Sequence, residues 1–358
     1  MTAPLIFSSP PWLPSGHLQT IVPAKFGRPP KLAFERERWP TPDGDFIDLD
    51  FVRAGAKPGE HADAMSGARR GASPQSNATD AANAVDTIDT VDASTPLLVL
   101  FHGLEGSSAS HYALTTMAQA QGRGWHGVVP HFRSCSGPIN LAPRFYHSGD
   151  STEIDWILRR LRERHSGKIF AAGISLGGNA LLRWLGEQGS AASRIVDAAA
   201  AISAPVDLAA GGHALASGFN RVYTRMFLKT LKLKSLEKHQ QFPGLFDVDS
   251  MLSARTLHAF DNIVTGPLHG FKDADDYWHR ASSIHVLGQI DVPTLVLNAR
   301  NDPFLPARAL PSHAQVSQMV ELEQPAMGGH VGFMTGAFPG RIDWLGSRLI
   351  HFFNAYAA

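Results

Sequence analysis

Short apolar runs alternate with helix-spaced patterns along most of this chain. Residues 97–102, 125–130, 169–173, 198–203 and 294–299 are strand-length and largely apolar, and 319–323 is a strand-length run with two glutamates. A strand covered on both faces reads this way, because neither face needs polar positions. Between these runs, residues 111–121, 151–164, 176–186, 306–316 and 341–356 place apolar side chains at helix-face spacing, with Asp150 or Ser151 as the cap of the second. Strands alternating with helices predict an α/β fold: a mostly parallel sheet, flanked by helices, with right-handed crossovers.

Four stretches break the rhythm. Residues 1–32 are Pro-rich and read as irregular, yet Trp12, Leu13, Leu18 and Ile21 are too apolar for a free tail, so an arm packed on the core is expected. Residues 34–39 and 46–52 flank Asp43-Gly44 and predict a β-hairpin. Residues 54–95 are dominated by Ala, Asp, Ser, Thr and Gly and predict a disordered insertion, since such a segment buries too little to offset its ordering entropy. The sequon at Asn77 within it reads as an accident of composition. Residues 207–285 carry helical patterns (219–233, 251–260) and no strand. They fit a helical cap over the carboxyl ends of the strands, where open α/β sheets bind ligands; they also fit an ordinary helical connection. The expected organisation is an arm (1–32), a core (33–206 and 286–358) and a cap (207–285).

Composition narrows the function. The formal charge is zero over 358 residues, so no electrostatic argument favours nucleic acid or acidic lipid as a partner. Cys135 is the single cysteine, which excludes an intrachain disulfide and suits a reducing compartment. No apolar run reaches membrane-spanning length. The N-terminus lacks a basic region followed by an apolar core, so a cytoplasmic location is expected. Oligomeric state is left open.

The candidate chemistry centres on Gly173-Ile174-Ser175-Leu176-Gly177, which joins an apolar run directly to a helical pattern. A sharp strand-to-helix turn of this kind presents a nucleophilic serine, and glycine two residues to either side removes collisions within it. The hydroxyl then needs a base, and the base an orienting acid, with chain order serine, acid, histidine. Asp302 lies just past the 294–299 run, and His330 lies in the Gly-rich loop after the last run. Their rivals fit less well. His313 and His351 sit on predicted helices, Asp291 precedes its strand, and Asp275 and Asp276 fall in the cap. For the oxyanion, the backbone N–H groups of Leu176 and Leu104 are expected, the latter in the loop His102-Gly103-Leu104-Glu105-Gly106. Cys135 lacks an elbow of its own and reads as a packing or loop residue. No histidine pair with zinc spacing and no phosphate-binding glycine loop is present, so neither metal nor nucleotide cofactor is expected. In the cap, Phe219, Met226, Phe227 and Phe242, with Leu245, are candidates to line an apolar acyl pocket, or else plain core.

Several motifs together resemble the YheT-like branch of the α/β-hydrolase family. They are Pro11-Trp12-Leu13 with Gly16-His17-Leu18-Gln19-Thr20, the His102 to Gly106 loop, Phe132-Arg133-Ser134-Cys135-Ser136-Gly137, Gly173 to Asn179, and Asn301-Asp302-Pro303-Phe304. The likeness covers nearly the whole chain except residues 54–95, which are foreign to the pattern. It implies an α/β-hydrolase fold with a helical cap insertion, and a serine esterase or lipase acting on small acyl esters, its relatives acting on acylglycerols and short-chain acyl esters. By position, Ser175 resembles the family nucleophile, Asp302 the acid and His330 the base. The arm carries no membrane-spanning helix like that of the animal relatives. Acyl transfer to an alcohol or thiol by the same triad, and a binding protein that kept the fold without the chemistry, are the alternatives.

Overall fold

The computed structural model describes residues 5–55 and 95–358. The expected insertion at 54–95 therefore lies, but for its ends, outside the described residues, as does Asn77. Among the described residues, eight strands form one sheet: β1 (Glu35–Pro40), β2 (Phe46–Val52), β3 (Leu97–Phe101), β4 (His126–Pro130), β5 (Ile169–Ile174), β6 (Ala198–Ile202), β7 (Thr294–Leu297) and β8 (Val320–Glu323). Their spatial order is β1-β2-β4-β3-β5-β6-β7-β8. The hairpin β1–β2 joins antiparallel to β4 at one edge, and every other pairing is parallel.

The continuous apolar runs become strands because both faces of the sheet are covered. Leu97, Val99 and Phe101 of β3 enter one core with Ile154, Leu158 and Trp184, whereas Leu98 and Leu100 enter the other with Met117, Leu349 and Phe353. Those partners come from helices α3 (Ser151–Arg164) and α4 (Leu176–Gln188) on the first face, and α2 (His111–Gly122) and α11 (Trp344–Asn354) on the second. β6 contributes alanines to both cores, which lets the helices sit close to the middle of the sheet.

Two expectations need correction. The arm is not irregular: residues Gly16–Phe26 form helix α1, whose first turn is capped by Ser15, its hydroxyl accepting from Leu18 N–H at 3.3 Å. Leu13 is buried with Met334 and Ile342, and Ile21 packs against Tyr223 and Phe304, whereas Leu18 stays partly exposed. The helix expected over 306–316 does not form. Two single 3₁₀ turns (Ala307–Ala309, His313–Gln315) stand there, because Pro311 has no N–H to donate and pushes its predecessor out of helical geometry.

Between β6 and β7 the chain is helical. α5 (Leu208–Leu215), the 21-residue α6 (Arg221–Gln241), α7 (Val248–Ser253), α8 (Leu257–Phe260), a π-helical turn (Asp261–Thr265), α9 (Gly266–Leu268) and α10 (Ala274–Ala281) share small apolar clusters of their own. Among the described residues, no helix is long and apolar enough to cross a membrane.

Candidate active site

Ser175 sits at the junction of β5 and α4 with φ 51° and ψ −117°, a left-handed conformation rare for a side chain other than glycine's. The geometry shows why glycine flanks it. A Cβ on Gly173 would lie 2.5 Å from the Gly177 carbonyl oxygen, and one on Gly177 would lie 2.5 Å from that of Phe101. The strained turn is anchored by the Ser175 N–H, which donates to the Ile202 carbonyl at 2.8 Å.

The loops after β7 and β8 bring the two predicted partners to this serine. His330 Nε2 lies 2.9 Å from Ser175 Oγ, and His330 Nδ1 lies 2.9 Å from Asp302 Oδ2. The other Asp302 oxygen accepts the Phe304 N–H at 2.7 Å, and the carboxylate is fully buried. The Phe304 ring stacks on the imidazole at 4.0 Å and shields it from water. A chain hydroxyl–imidazole–carboxylate is thereby assembled from residues 155 and 28 positions apart. The rivals lie elsewhere: Asp275 faces His258, Asp276 faces Arg280, and His313 is exposed on its short turn.

Leu176 is the first residue of α4, so its N–H has no carbonyl one turn earlier in the helix to bond. Across from it, the loop after β3 is held by side chains. Tyr112 OH accepts the Gly103 N–H at 3.0 Å, and Tyr146 OH accepts the Glu105 N–H at 2.9 Å. The Leu104 N–H between them has no acceptor among the described residues. His102 braces the same loop as a neutral ring. Its Nδ1 donates to the Gly103 carbonyl at 2.8 Å, and its Nε2 accepts the Phe132 N–H at 3.0 Å. Burial holds its pKa down at about 3.

A cavity of about 1130 Å³, its open mouth included, opens from Ser175 and His330 toward the cap helices. Helix phase decides which α6 residues reach it. Phe227, Leu231, Lys234 and Ser235, spaced by four, three and one, share one face and line the wall. Four expected lining residues are absent from it, Leu245 among them. Met226 is one position out of phase and half exposed; Phe219 is also half exposed and lies against the His17 and Tyr223 rings; Phe242 follows the helix end, beside the Lys238 ammonium. Of the five candidates, Phe227 alone lines the cavity. The rest of the apolar wall includes Leu208, Leu215, Leu257, Phe260 and Trp278.

Residues whose sites the sequence reading passed over hold the loops in place. Ser203 Oγ accepts the Val331 N–H at 3.0 Å, next to His330. Lys234 pairs with Glu105 at 2.8 Å and so ties α6 to the loop of Leu104. Cys135 lies within 3.6 Å of the same ammonium, but burial pushes its thiol up to about 12, which leaves it protonated and unreactive. These contacts cross between distant segments and leave no local pattern. The polar residues themselves, set between apolar runs, are the one signal that was available.

Burial holds down the pKa of several imidazoles in and around the site: His102 near 3, His111 and His147 each near 4, and His269 also lowered. On unfolding they return to an ordinary value and take up protons. The unfolded chain then binds more protons between pH 6.5 and pH 4, so stability falls as pH is lowered through that window, by up to about 1.4 kcal/mol per pH unit for each group. Buried Asp261, pushed up to about 6, and Glu153, also raised by burial, oppose this in part. The urea-unfolding midpoint is expected to drop between pH 6.5 and pH 4.5, and an unchanged or rising midpoint would contradict it.

The fold and site define a class. A profile of the alpha/beta hydrolase fold matches residues 96–337, and this chain belongs to the α/β-hydrolase family. Within it the chain belongs to the YheT-like branch: it is 36% identical to YheT of Escherichia coli (strain K12) over 95% of this chain and 90% of that protein. It is also 32% identical to Phospholipase ABHD3 of Mus musculus, over 71% of this chain and 62% of that protein. Among solved structures, the esterase Pf2001 of Pyrococcus furiosus has the same fold, with a TM-score of 0.51 at 14% identity over 91% of this chain and 94% of that one.

Proposed function

We propose that this protein hydrolyses carboxylic esters through an acyl-enzyme intermediate. The observation that carries the reading is the pair of 2.9 Å contacts linking Ser175 to His330 and His330 to Asp302 at the mouth of an apolar cavity. His330 Nε2 takes the Ser175 proton as Oγ attacks the acyl carbon. The developing oxyanion receives the N–H groups of Leu104 and Leu176, donors already fixed before the reaction. Collapse expels the alcohol with the proton from His330; water then attacks the acyl-enzyme by the same route in reverse. Asp302 keeps the proton of the neutral ring on Nδ1, so that Nε2 is free to act as base.

The wall formed by Leu215, Phe227, Leu257 and Phe260 suits the acyl chain. The ammonium on the wall, Lys234, is already paired with Glu105, which favours an uncharged ester. On this reading residues 207–285 are the cap that closes the acyl site, 33–206 with 286–358 are the catalytic core, and 1–32 are the arm. Relatives named as a phospholipase and, in Saccharomyces cerevisiae, a monoacylglycerol lipase support an ester substrate.

A fluorophosphonate probe tests the reading directly. The expected result is stoichiometric labelling, with the adduct on the tryptic peptide that contains Ser175. Native, folded protein that remains unlabelled, or an adduct on another residue, would reject the nucleophile.

A further inference from the structure

Helix α1 lies across both loops that carry the acid and the base, and it is joined to them through two consecutive residues. Gln19 is 2% exposed, and its amide is fully engaged. Its Nε2 donates to the Leu13 carbonyl at 2.6 Å and to Ser9 Oγ at 2.8 Å; its Oε1 accepts from Asn301 Nδ2 at 3.0 Å and from Gly328 N–H at 2.7 Å. Asn301, the neighbour of Asp302, in turn accepts the Gly329 N–H at 3.0 Å. Thr20 Oγ1 donates to the Gly16 carbonyl at 2.7 Å and accepts the backbone N–H of His330 itself at 2.9 Å.

The surfaces are fitted as closely as the hydrogen bonds suggest. A Cβ on Gly16 would lie 2.0 Å from the Asn301 carbonyl oxygen, and one on Gly332 would lie 1.7 Å from that of Gln19. That Gln19 carbonyl has no helical partner one turn on, because the residue there is Pro23, which has no N–H. The histidine loop needs such support. Val331 and Phe333 hold φ values of 61° and 39°, conformations that persist only where surrounding contacts over-determine them.

We infer that Gln19 and Thr20 are positioning residues of the catalytic base: through them the arm fixes the His330 loop, and with it the distance from Nε2 to Ser175. The inference rests on the triad reading above. Neither residue touches the reacting atoms. Each acts on the backbone that carries them, and a displacement of about 1 Å at such a site costs on the order of 100-fold in rate.

The test uses the full chain and a p-nitrophenyl ester. Thr20→Val keeps the shape of the side chain and removes the acceptor for the His330 N–H. Its kcat is expected to fall by about 10- to 100-fold, with KM within about twofold of wild type, since the cavity wall is untouched. Thr20→Ser, which restores the oxygen, should recover most of the rate. Gln19→Leu should lower kcat in the same manner, and Lys25→Ala, on the exposed side of the same helix, should leave it unchanged. Fluorophosphonate labelling should slow in step with kcat. Folded Thr20→Val and Gln19→Leu proteins with wild-type kcat would overturn the inference. So would a change confined to KM, or a failure of both variants to fold, which would assign the arm to stability alone. If Ser175→Ala keeps the wild-type rate, the triad reading has failed; if Ser175→Ala is inactive and Thr20→Val is not impaired, only the clamp has.

Discussion

Ser175→Ala is expected to lower kcat for ester hydrolysis by roughly a millionfold, the scale seen when the serine of a triad is removed. The residual rate would come from binding and from the two proposed oxyanion donors, which are backbone groups and survive the substitution. The fold should survive as well. The Ser175 hydroxyl makes its contact with His330, and it does not cap α4; the anchor of the turn is the Ser175 N–H on the Ile202 carbonyl, which alanine retains. The left-handed backbone at this position is no worse for alanine than for serine. The measurement is turnover of a p-nitrophenyl ester beside a circular dichroism spectrum. Turnover equal to wild type in the folded variant would sink the mechanism.

Asp302→Asn is expected to cost about 10,000-fold in kcat with little change in KM, and the contacts around the carboxylate say why. One oxygen of Asp302 accepts the Phe304 N–H, and the other accepts the proton on His330 Nδ1. An asparagine must keep its carbonyl oxygen toward Phe304, because an amide NH₂ cannot face a backbone N–H. Its NH₂ then points at His330 Nδ1 and selects the tautomer with the proton on Nε2. In that form the nitrogen facing Ser175 has no lone pair for the hydroxyl proton. The ring stays in place under Phe304, so binding is preserved while proton transfer is lost. A kcat within tenfold of wild type would show that the tautomer is not set by this contact.

Much of the architecture was legible because it is local. The runs at 97–102, 169–173 and 198–203 could be read as strands because both faces of each are covered, and covered strands have few polar positions. The elbow was legible because strand, Gly-flanked serine and helix are contiguous. Asp302 and His330 could be located in loops because the preceding strands are contiguous with them. Where local pattern competed with backbone chemistry it misled: apolar spacing over 306–316 suggested a helix that Pro311 forbids, and the prolines of the first 32 residues hid α1.

By itself the sequence determined the order of the strands and of most helices, the elbow and the loops in which its partners stand, since these follow from the spacing of neighbours along one stretch of chain. Tertiary structure alone decided which face of α6 looks into the cavity, so that Phe227 lines it and Met226 does not: apolar residues lie all along α6, and which distant element each face meets is not written in the helix's own residues. It also decided that Gln19 meets Gly328, 309 positions away, because a hydrogen bond between remote segments exists only once the intervening chain has folded to bring them together.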